Sequence, residues 1–543
     1  MSIDDQKVGH VVSVKGSKIS SVLIGGGMEQ ATALDAVQFG GLVKMKTRIS
    51  SVFGMVGGMW ITDPSVSPES AQKMVEIDML GEVMHPEVTG TDACFQRGVS
   101  VYPPLGGEVL AVTPEDLALI YAPPRASAVR IGTIHQDRNL PGFIATDSLL
   151  GKHFAVLGTT GSGKSCSTAL ILRAILEENP NGHVVVLDPH NEYGPAFGER
   201  AEQINLSNLD LPYWLMNFEE SVAAFVTSDG KDRETEIDIL KDAILAARRK
   251  FLGPDENTDY VTVDTPVPYR LGEVQRLISD AMGRLDKTET SLPYLRLQTR
   301  MQALSTDQRF AFMFSGVVVR DTMVNILSRI LRVPVSGRPA TIIDLSGVPS
   351  DIVDVVVSVL CRMIFDFAVW SIDAKAIPVL LVCEEAHRYV PRDENLGFAP
   401  TRRSISRIAK EGRKYGVSLC LVTQRPSELS ATILSQCNTL FALRMSNEND
   451  QEFVRTTLPD GADGLLAALP ALHGQECIAV GEGVTVPMRL CFDTLEEAFR
   501  PKSGTAAFSQ AWQKDYIDDW FIEDTITRWR RQQRDESEAA EAA

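Results

Sequence analysis

Gly158-Thr159-Thr160-Gly161-Ser162-Gly163-Lys164-Ser165 combines residue types that can hold a triphosphate. Glycines let successive backbone N–H groups turn inward around phosphate oxygens, a lysine brings a point charge to the β and γ groups, and a serine hydroxyl suits Mg²⁺. Such a loop works between a strand and a helix. The apolar run His153-Phe-Ala-Val-Leu157 precedes it and a helical pattern, Ala169 to Leu176, follows. The helix adds its positive N-terminal end, so the cradle is expected to run from Gly158 through Cys166. A chance match somewhere in the chain has odds of about 2 in 100 on average composition, and the flanks lower them further. The expected ligand is ATP with Mg²⁺.

Hydrolysis needs carboxylates at the same edge of the sheet. The apolar run Ile377-Pro-Val-Leu-Leu-Val-Cys383 ends in Glu384 and Glu385, as expected where a buried parallel strand reaches the ligand side. In such a pair Glu384 holds Mg²⁺ through water, and Glu385 orients or deprotonates the attacking water. The bland alternative is two acids that solvate a strand end. A second apolar strand, Val184-Val-Val-Leu187, ends in Asp188, which is expected to face the nucleotide. His190 and Glu192, just beyond, read equally well as ordinary loop residues. On a third strand Ser418-Leu-Cys-Leu-Val-Thr423 leads to Gln424, a residue type that senses the γ-phosphate and positions water.

Basic charge gathers between Thr401 and Lys414, although the chain carries a formal charge of −18. At helical periodicity Arg403, Arg407, Lys410 and Lys414 share a face, with Arg402 and Arg413 about a quarter turn away. Three readings stay open: contact with DNA phosphates, an arginine reaching a neighbouring subunit's ATP, and a solvated basic face. The overall acidity argues against a surface that coats nucleic acid indiscriminately, so any DNA contact must be local.

These residues need a scaffold, and the chain has the length for two to four domains. Strand-like alternation at 8–25, 41–62, 73–84 and 97–112 predicts a small β-barrel or sandwich. A proline-containing link, Tyr121 to Arg125, leads toward the glycine-rich loop. Glu234–Phe251, Leu271–Leu285 and Tyr294–Leu304 have helical spacing, whereas Ala340–Leu345, Val379–Cys383, Ser418–Thr423 and Leu440–Leu443 alternate with helices in a βαβ rhythm. The expected division is 1–115 barrel, 116–200 first part of an α/β ATPase core, 201–335 helical insertion, 336–500 second part of the core, and 501–543 C-terminal helices with an acidic tail. In that last part Trp512, Tyr516 and Trp520 recur at four-residue steps, followed by Ile522, Ile526 and Trp529.

Hydrophobic residues at 44% and charged residues at 23% are those of a water-soluble globular protein. Met1 to Asp5 is acidic and lacks the blocks of a signal peptide. Asp354, Arg362 and Asp366 interrupt the longest apolar region, Ile352 to Trp370, which predicts a buried helix rather than a membrane span. Eight cysteines occur singly, without a metal-ligand pattern, which fits a cytoplasmic protein.

The ordered set Gly158–Ser165, Asp188-Pro-His-Asn-Glu-Tyr193, Leu211-Pro-Tyr-Trp214, Glu384-Glu-Ala-His387, Glu411-Gly-Arg-Lys-Tyr-Gly416 and Thr423-Gln-Arg-Pro426 resembles the HerA family of FtsK-related ATPases. The resemblance spans most of residues 8–500. Val8-Gly-His-Val11 and Phe95-Gln-Arg-Gly98 resemble the HAS barrel of that family. It implies a RecA-like P-loop core behind the barrel, in a hexameric ring that threads double-stranded DNA through its channel. It further implies a nuclease or defence effector as partner. The implied roles are Lys164 and Ser165 for ATP and Mg²⁺, Glu385 for catalysis, Gln424 as sensor and Arg413 as the arginine acting in trans. Glu384 stands where the family more usually has Asp, and Asn191 where it often has Gly. The expected function is therefore an ATP-dependent DNA translocase or helicase. The alternatives are an ATP-regulated ring scaffold that activates a partner enzyme in antiviral defence, and a protein or secretion motor on the same core.

Overall fold

Alternating apolar and polar residues give the N-terminal region a face to bury. In a computed structural model of the chain they form β1 (Lys7–Lys15), β2 (Lys18–Leu23), β3 (Leu42–Lys46), β4 (Ser50–Ile61), β5 (Lys73–Met84), β6 (Phe95–Arg97) and β7 (Glu108–Ala111). The structure describes residues 6–24, 37–62, 72–89, 93–124, 127–254, 257–284, 291–314, 319–371, 377–457, 463–502, 508–513 and 519–531. The strand order is β2-β1-β7-β3-β4-β5-β6, and β2 also pairs with β5, so six strands close a barrel and β6 lies outside it. Closure removes the open edges that a small sheet would expose. Alternate residues, among them Val11, Ile19, Val43, Met45, Val75 and Ile77, fill the interior.

Continuous apolar runs build the larger sheet. Its strands are β8 (Ala128–Ile134), β9 (Pro141–Ala145), β10 (His153–Leu157), β11 (Val184–Asp188), β12 (Ala201–Ile204), β13 (Ala340–Asp344), β14 (Val379–Cys383), β15 (Val417–Thr423), β16 (Cys437–Leu443), β17 (Glu476–Gly481) and β18 (Met488–Phe492). They lie in the order β12-β13-β11-β14-β15-β10-β16-β17-β18-β8-β9. The first seven run parallel and the last four antiparallel. Every residue of β10, β11, β14 and β15 is buried, the state of strands covered on both faces by crossover helices. Ser350–Ser371 is a helix, as its interrupted apolar run predicts. Among the described residues no helix is long and apolar enough to cross a membrane.

The chain divides into two compact units. One holds residues 1–204, 323–346 and 354–501; the other holds 205–322, 347–353 and 502–543. The edges of the insertion therefore differ from the expected 201 and 335. β12 pairs in parallel with β13, and the helix Met323–Leu331 packs on β11 and β13, which assigns both to the sheet. The stretch after the proline-containing link is also more than a connection. β8 and β9 form a hairpin, and β8 pairs with β18 to extend the sheet.

The second unit is helical, with Gly230–Leu252, Leu271–Met282 and Leu292–Thr306 packed on one another. At its centre Tyr213 stacks on Phe314 and meets Tyr269 edge-on. The Tyr213 hydroxyl donates to the Tyr269 carbonyl at 2.8 Å and accepts from the Leu271 amide at 2.8 Å. Arg248, fully buried, donates to the Trp214 and Met216 carbonyls. The Leu211-Pro-Tyr-Trp214 sequence thus anchors this unit. Helix Asp519–Arg531 carries Trp520, Ile522, Ile526 and Trp529, and Trp512 follows the helix Phe508–Ala511, while Met1–Asp5, Tyr516 and the acidic tail lie outside the described residues.

Candidate nucleotide-hydrolysing site

The glycine-rich loop leaves the buried strand β10 and enters the helix Lys164–Glu178. Gly161 and Gly163 have φ of +75° and +99°, a backbone that side chains disfavour and that turns N–H groups into the loop. A Cβ at Gly158 would lie 2.7 Å from the Ser162 hydroxyl and 2.8 Å from the Leu443 Cβ, so close packing also requires glycine there. The loop is braced from within. Ser162 Oγ donates to the Thr159 carbonyl at 2.7 Å, and Lys164 Nζ donates to the same carbonyl at 3.3 Å. Lys164 is 8% exposed, and burial lowers its pKa against the pull of Glu384, Glu385 and Glu192. Cys166 follows in the first turn of the helix, partly buried.

β15 separates β10 from β14, so the paired acids emerge two strand spacings away, roughly 10 Å. That gap has room for a γ-phosphate and a water. Glu384 is buried, and its Oε2 accepts the Tyr193 hydroxyl at 2.7 Å. Burial raises the Glu384 pKa, and the adjacent Glu385 adds to the effect. Glu385 adopts φ of +51°, which turns its side chain back toward β15. Its Oε1 accepts from Gln424 Nε2 at 2.8 Å, and Thr160 Oγ1 donates to Gln424 Oε1. Gln424 thus links the phosphate loop to Glu385. The other oxygen, Glu385 Oε2, lies 3.2 Å from His387 Nδ1, which is also 2.9 Å from Thr423 Oγ1.

Asp188 does not reach the loop. Its carboxylate caps its own turn, accepting from the His190 amide at 3.2 Å and the Tyr193 amide at 2.9 Å. Complete burial raises its pKa to about 6. Glu192, rather than Asp188, contacts the phosphate loop, its Oε2 accepting from Ser165 Oγ at 2.7 Å. His190 Nε2 stands 3.9 Å from Glu385 Oε1. Asn191 has φ of +55°, which explains a position where glycine is common, because asparagine tolerates this backbone better than other side chains.

Tyr193 and His387 carry no role of their own among the expectations from sequence, where Glu192 reads equally well as a loop residue. The available signal was their spacing, one and two residues from groups already singled out. The basic helix is Ala399–Tyr415. Arg407 is engaged with Asp366, Glu411 and the Phe365 ring, Arg402 with the Glu394 carbonyl, and Lys414 lies over the Tyr415 ring. Arg413 is exposed and makes no hydrogen bond or ion pair among the described residues. Within one chain it is not brought to the site.

The model of the HerA helicase central domain matches residues 129–364. The DNA double-strand break repair helicase HerA of Pyrococcus furiosus is 25% identical over 483 residues, covering 81% of each chain. The protein of the same name from Sulfurisphaera tokodaii is 28% identical over 401 residues, covering 73% of this chain and 74% of its own. Among solved structures, VirB4 of Thermoanaerobacter pseudethanolicus superimposes with a TM-score of 0.49 at 15% identity, covering 70% of this chain and all of that one. A family model that spans the phosphate loop, and relatives aligned along most of both chains, make this P-loop ATPase similar to the HerA helicases.

Proposed function

We propose that this ATP hydrolase drives movement along double-stranded DNA, as a homo-hexameric ring that works with a nuclease or defence effector. The observation that carries the reading is the chain of contacts from Thr160 through Gln424 to Glu385, which ties the phosphate cradle to a carboxylate. Glu385 would take a proton from water held against the γ-phosphate, while Gln424 keeps water and phosphate in line. Lys164 would bind the β and γ oxygens. The relatives' description as DNA repair helicases supports DNA as the track.

Ser165, Glu192 and Glu384 present hard oxygen atoms near Lys164, a donor set that fits Mg²⁺. These residues would hold the ion, which would supply neutralisation of the phosphate charge.

Glu385→Gln keeps the shape of the site and removes the base. Turnover is expected to fall by about 10²- to 10⁴-fold while nucleotide binding persists, whereas Lys164→Ala loses binding itself. Duplex DNA is expected to accelerate the parent. Parent turnover indifferent to duplex, together with no DNA binding at low salt, defeats the motor reading.

A further inference from the structure

A cavity of about 670 Å³ opens beside the hydrolytic edge, walled in part by His387, Arg388, Arg392, Asp393 and Glu428. Its two acids are already engaged. Asp393 Oδ1 accepts from the amide and Nδ2 of Asn395 at 2.9 and 3.0 Å, and Glu428 Oε1 accepts from Arg425 Nη1 at 2.8 Å. Its two arginines are not. Both are exposed, and among the described residues neither guanidinium forms a hydrogen bond or an ion pair; that of Arg392 rests only on the Phe453 ring, 5.8 Å away. The cavity therefore offers two guanidiniums whose N–H groups have no hydrogen-bond partner among the described residues, although Asp354 feels the charge of Arg388 and Asp393 keeps its own negative charge.

Its walls are fixed by backbone contacts. The Arg392 amide donates to the Glu428 carbonyl at 2.7 Å, the Ser430 amide donates to the Val390 carbonyl at 3.0 Å, and Pro391 bridges to Leu429. Two forked guanidiniums on a held backbone suit a phosphate group, whose oxygens accept several hydrogen bonds at once. One side chain joins this space to the chemistry. His387 lines the cavity, and its Nδ1 lies 3.2 Å from Glu385 Oε2, an oxygen that is buried and has no hydrogen-bond partner.

We propose that the cavity receives a backbone phosphate of the DNA on which the protein acts, held by Arg388 and Arg392, and that His387 carries its arrival to Glu385. The proposal rests on the translocase reading and adds a place where DNA meets the hydrolytic site. His387 acts as a positioning residue. An occupied cavity draws the imidazole toward the phosphate and changes its grip on Glu385, so the carboxylate that prepares water responds to the track.

The test measures duplex affinity against salt concentration, and ATP turnover with and without duplex, for the intact chain. Arg388→Gln/Arg392→Gln removes two phosphate contacts, so the slope of log K against log salt becomes shallower by about 1.8. Between about 50 and 200 mM salt the variant then loses roughly tenfold less affinity than the parent. The paired lysine substitutions, which keep both charges, recover most of the slope. His387→Asn keeps the parent's slope and half-saturating DNA concentration but loses the rise in kcat that DNA produces, a split that a purely structural role would not give; His387→Gln provides the same reading should the first variant fold poorly. A double arginine variant with the parent's slope, or histidine variants with full DNA acceleration, overturn the proposal and leave the motor reading standing. A parent that neither binds duplex at low salt nor responds to it overturns both. Inorganic phosphate that slows the parent but not the double arginine variant, with the DNA slope unchanged, assigns the cavity to free phosphate and overturns the DNA assignment.

Discussion

Glu385 holds a left-handed backbone, φ +51° and ψ 45°, immediately after a fully buried strand. Such a conformation costs a non-glycine residue roughly 1 kcal/mol and persists at functional sites because the surroundings impose it. Glu385→Gly and Glu385→Ala both lack the carboxylate, but only glycine adopts this backbone freely. The glycine variant is expected to be the more stable of the two by about 1 kcal/mol, the reverse of the usual order, as read by thermal denaturation. Asp188 gives a second prediction. Burial raises its carboxyl pKa to about 6, so between the ordinary carboxylate range and pH 6 the folded chain keeps a proton that the unfolded chain has released. Stability contributed by this group is complete at the acid end and declines as pH rises through about 6, by up to about 3 kcal/mol. Melting temperatures across that range are expected to show the decline in the parent and a flatter profile in Asp188→Asn. The same residues show what a sequence reveals of a site. Lys164, Glu384 and Glu385 follow apolar runs and can be found from those runs, whereas the contacts of Glu192 to Ser165 and Tyr193 to Glu384 join separate loops that no periodicity marks.

At the scale of elements, the barrel is held to the ATPase sheet within one compact unit. Arg97, the last residue of β6, donates through Nε to the Thr485 carbonyl at 2.6 Å and through Nη2 to the Gly481 carbonyl at 2.6 Å and to that of Val484. A fixed fork can serve three carbonyls at once, and an ammonium cannot reproduce it. Arg97→Ala is therefore expected to loosen the barrel, at a cost of about 2 kcal/mol. Arg97→Lys is expected to recover little of that, and limited proteolysis should release the N-terminal segment sooner from either variant. Nearby, a Cβ at Gly464 would fall 2.5 Å from the Gly57 Cα, so the two backbones meet at a contact that only glycines permit. Neither device was legible beforehand, because both depend on residues about 390 and 410 positions apart in sequence. The core strands were legible because burial on both faces leaves an unbroken apolar run, as in Val379–Cys383. β12 was assigned to the insertion because it is an edge strand, Ala-Glu-Gln-Ile, whose two central residues are polar. The β8–β9 hairpin carries a weaker signal because a proline-containing link precedes it and Arg130, Gly132 and Gly142 interrupt its apolar residues.

The whole molecule adds a question that one chain cannot answer alone, namely what stabilises charge on the far side of the γ-phosphate. Lys164 and the acids approach from within the chain, while Arg413 is exposed on the helix Ala399–Tyr415 without a partner among the described residues. A head-to-tail ring would let that helix face the next subunit's cradle. In such a ring, subunits carrying Arg413→Ala retain a working cradle but deprive their neighbour of the arginine, whereas subunits carrying Lys164→Ala lose ATP yet still supply it. Each protein alone is expected to be nearly inactive. Mixed one to one, about a quarter of the interfaces join an intact cradle to an intact arginine, and turnover should recover toward that fraction of the parent's. The formal charge of −18 per chain makes subunits repel, so mixing belongs at moderate salt, where that repulsion is screened. Recovery that grows with protein concentration supports an arginine acting across the interface. Two inactive proteins that stay inactive together, while co-assembling by size-exclusion chromatography, exclude Arg413 from the role and return the search to the other basic residues of the same helix.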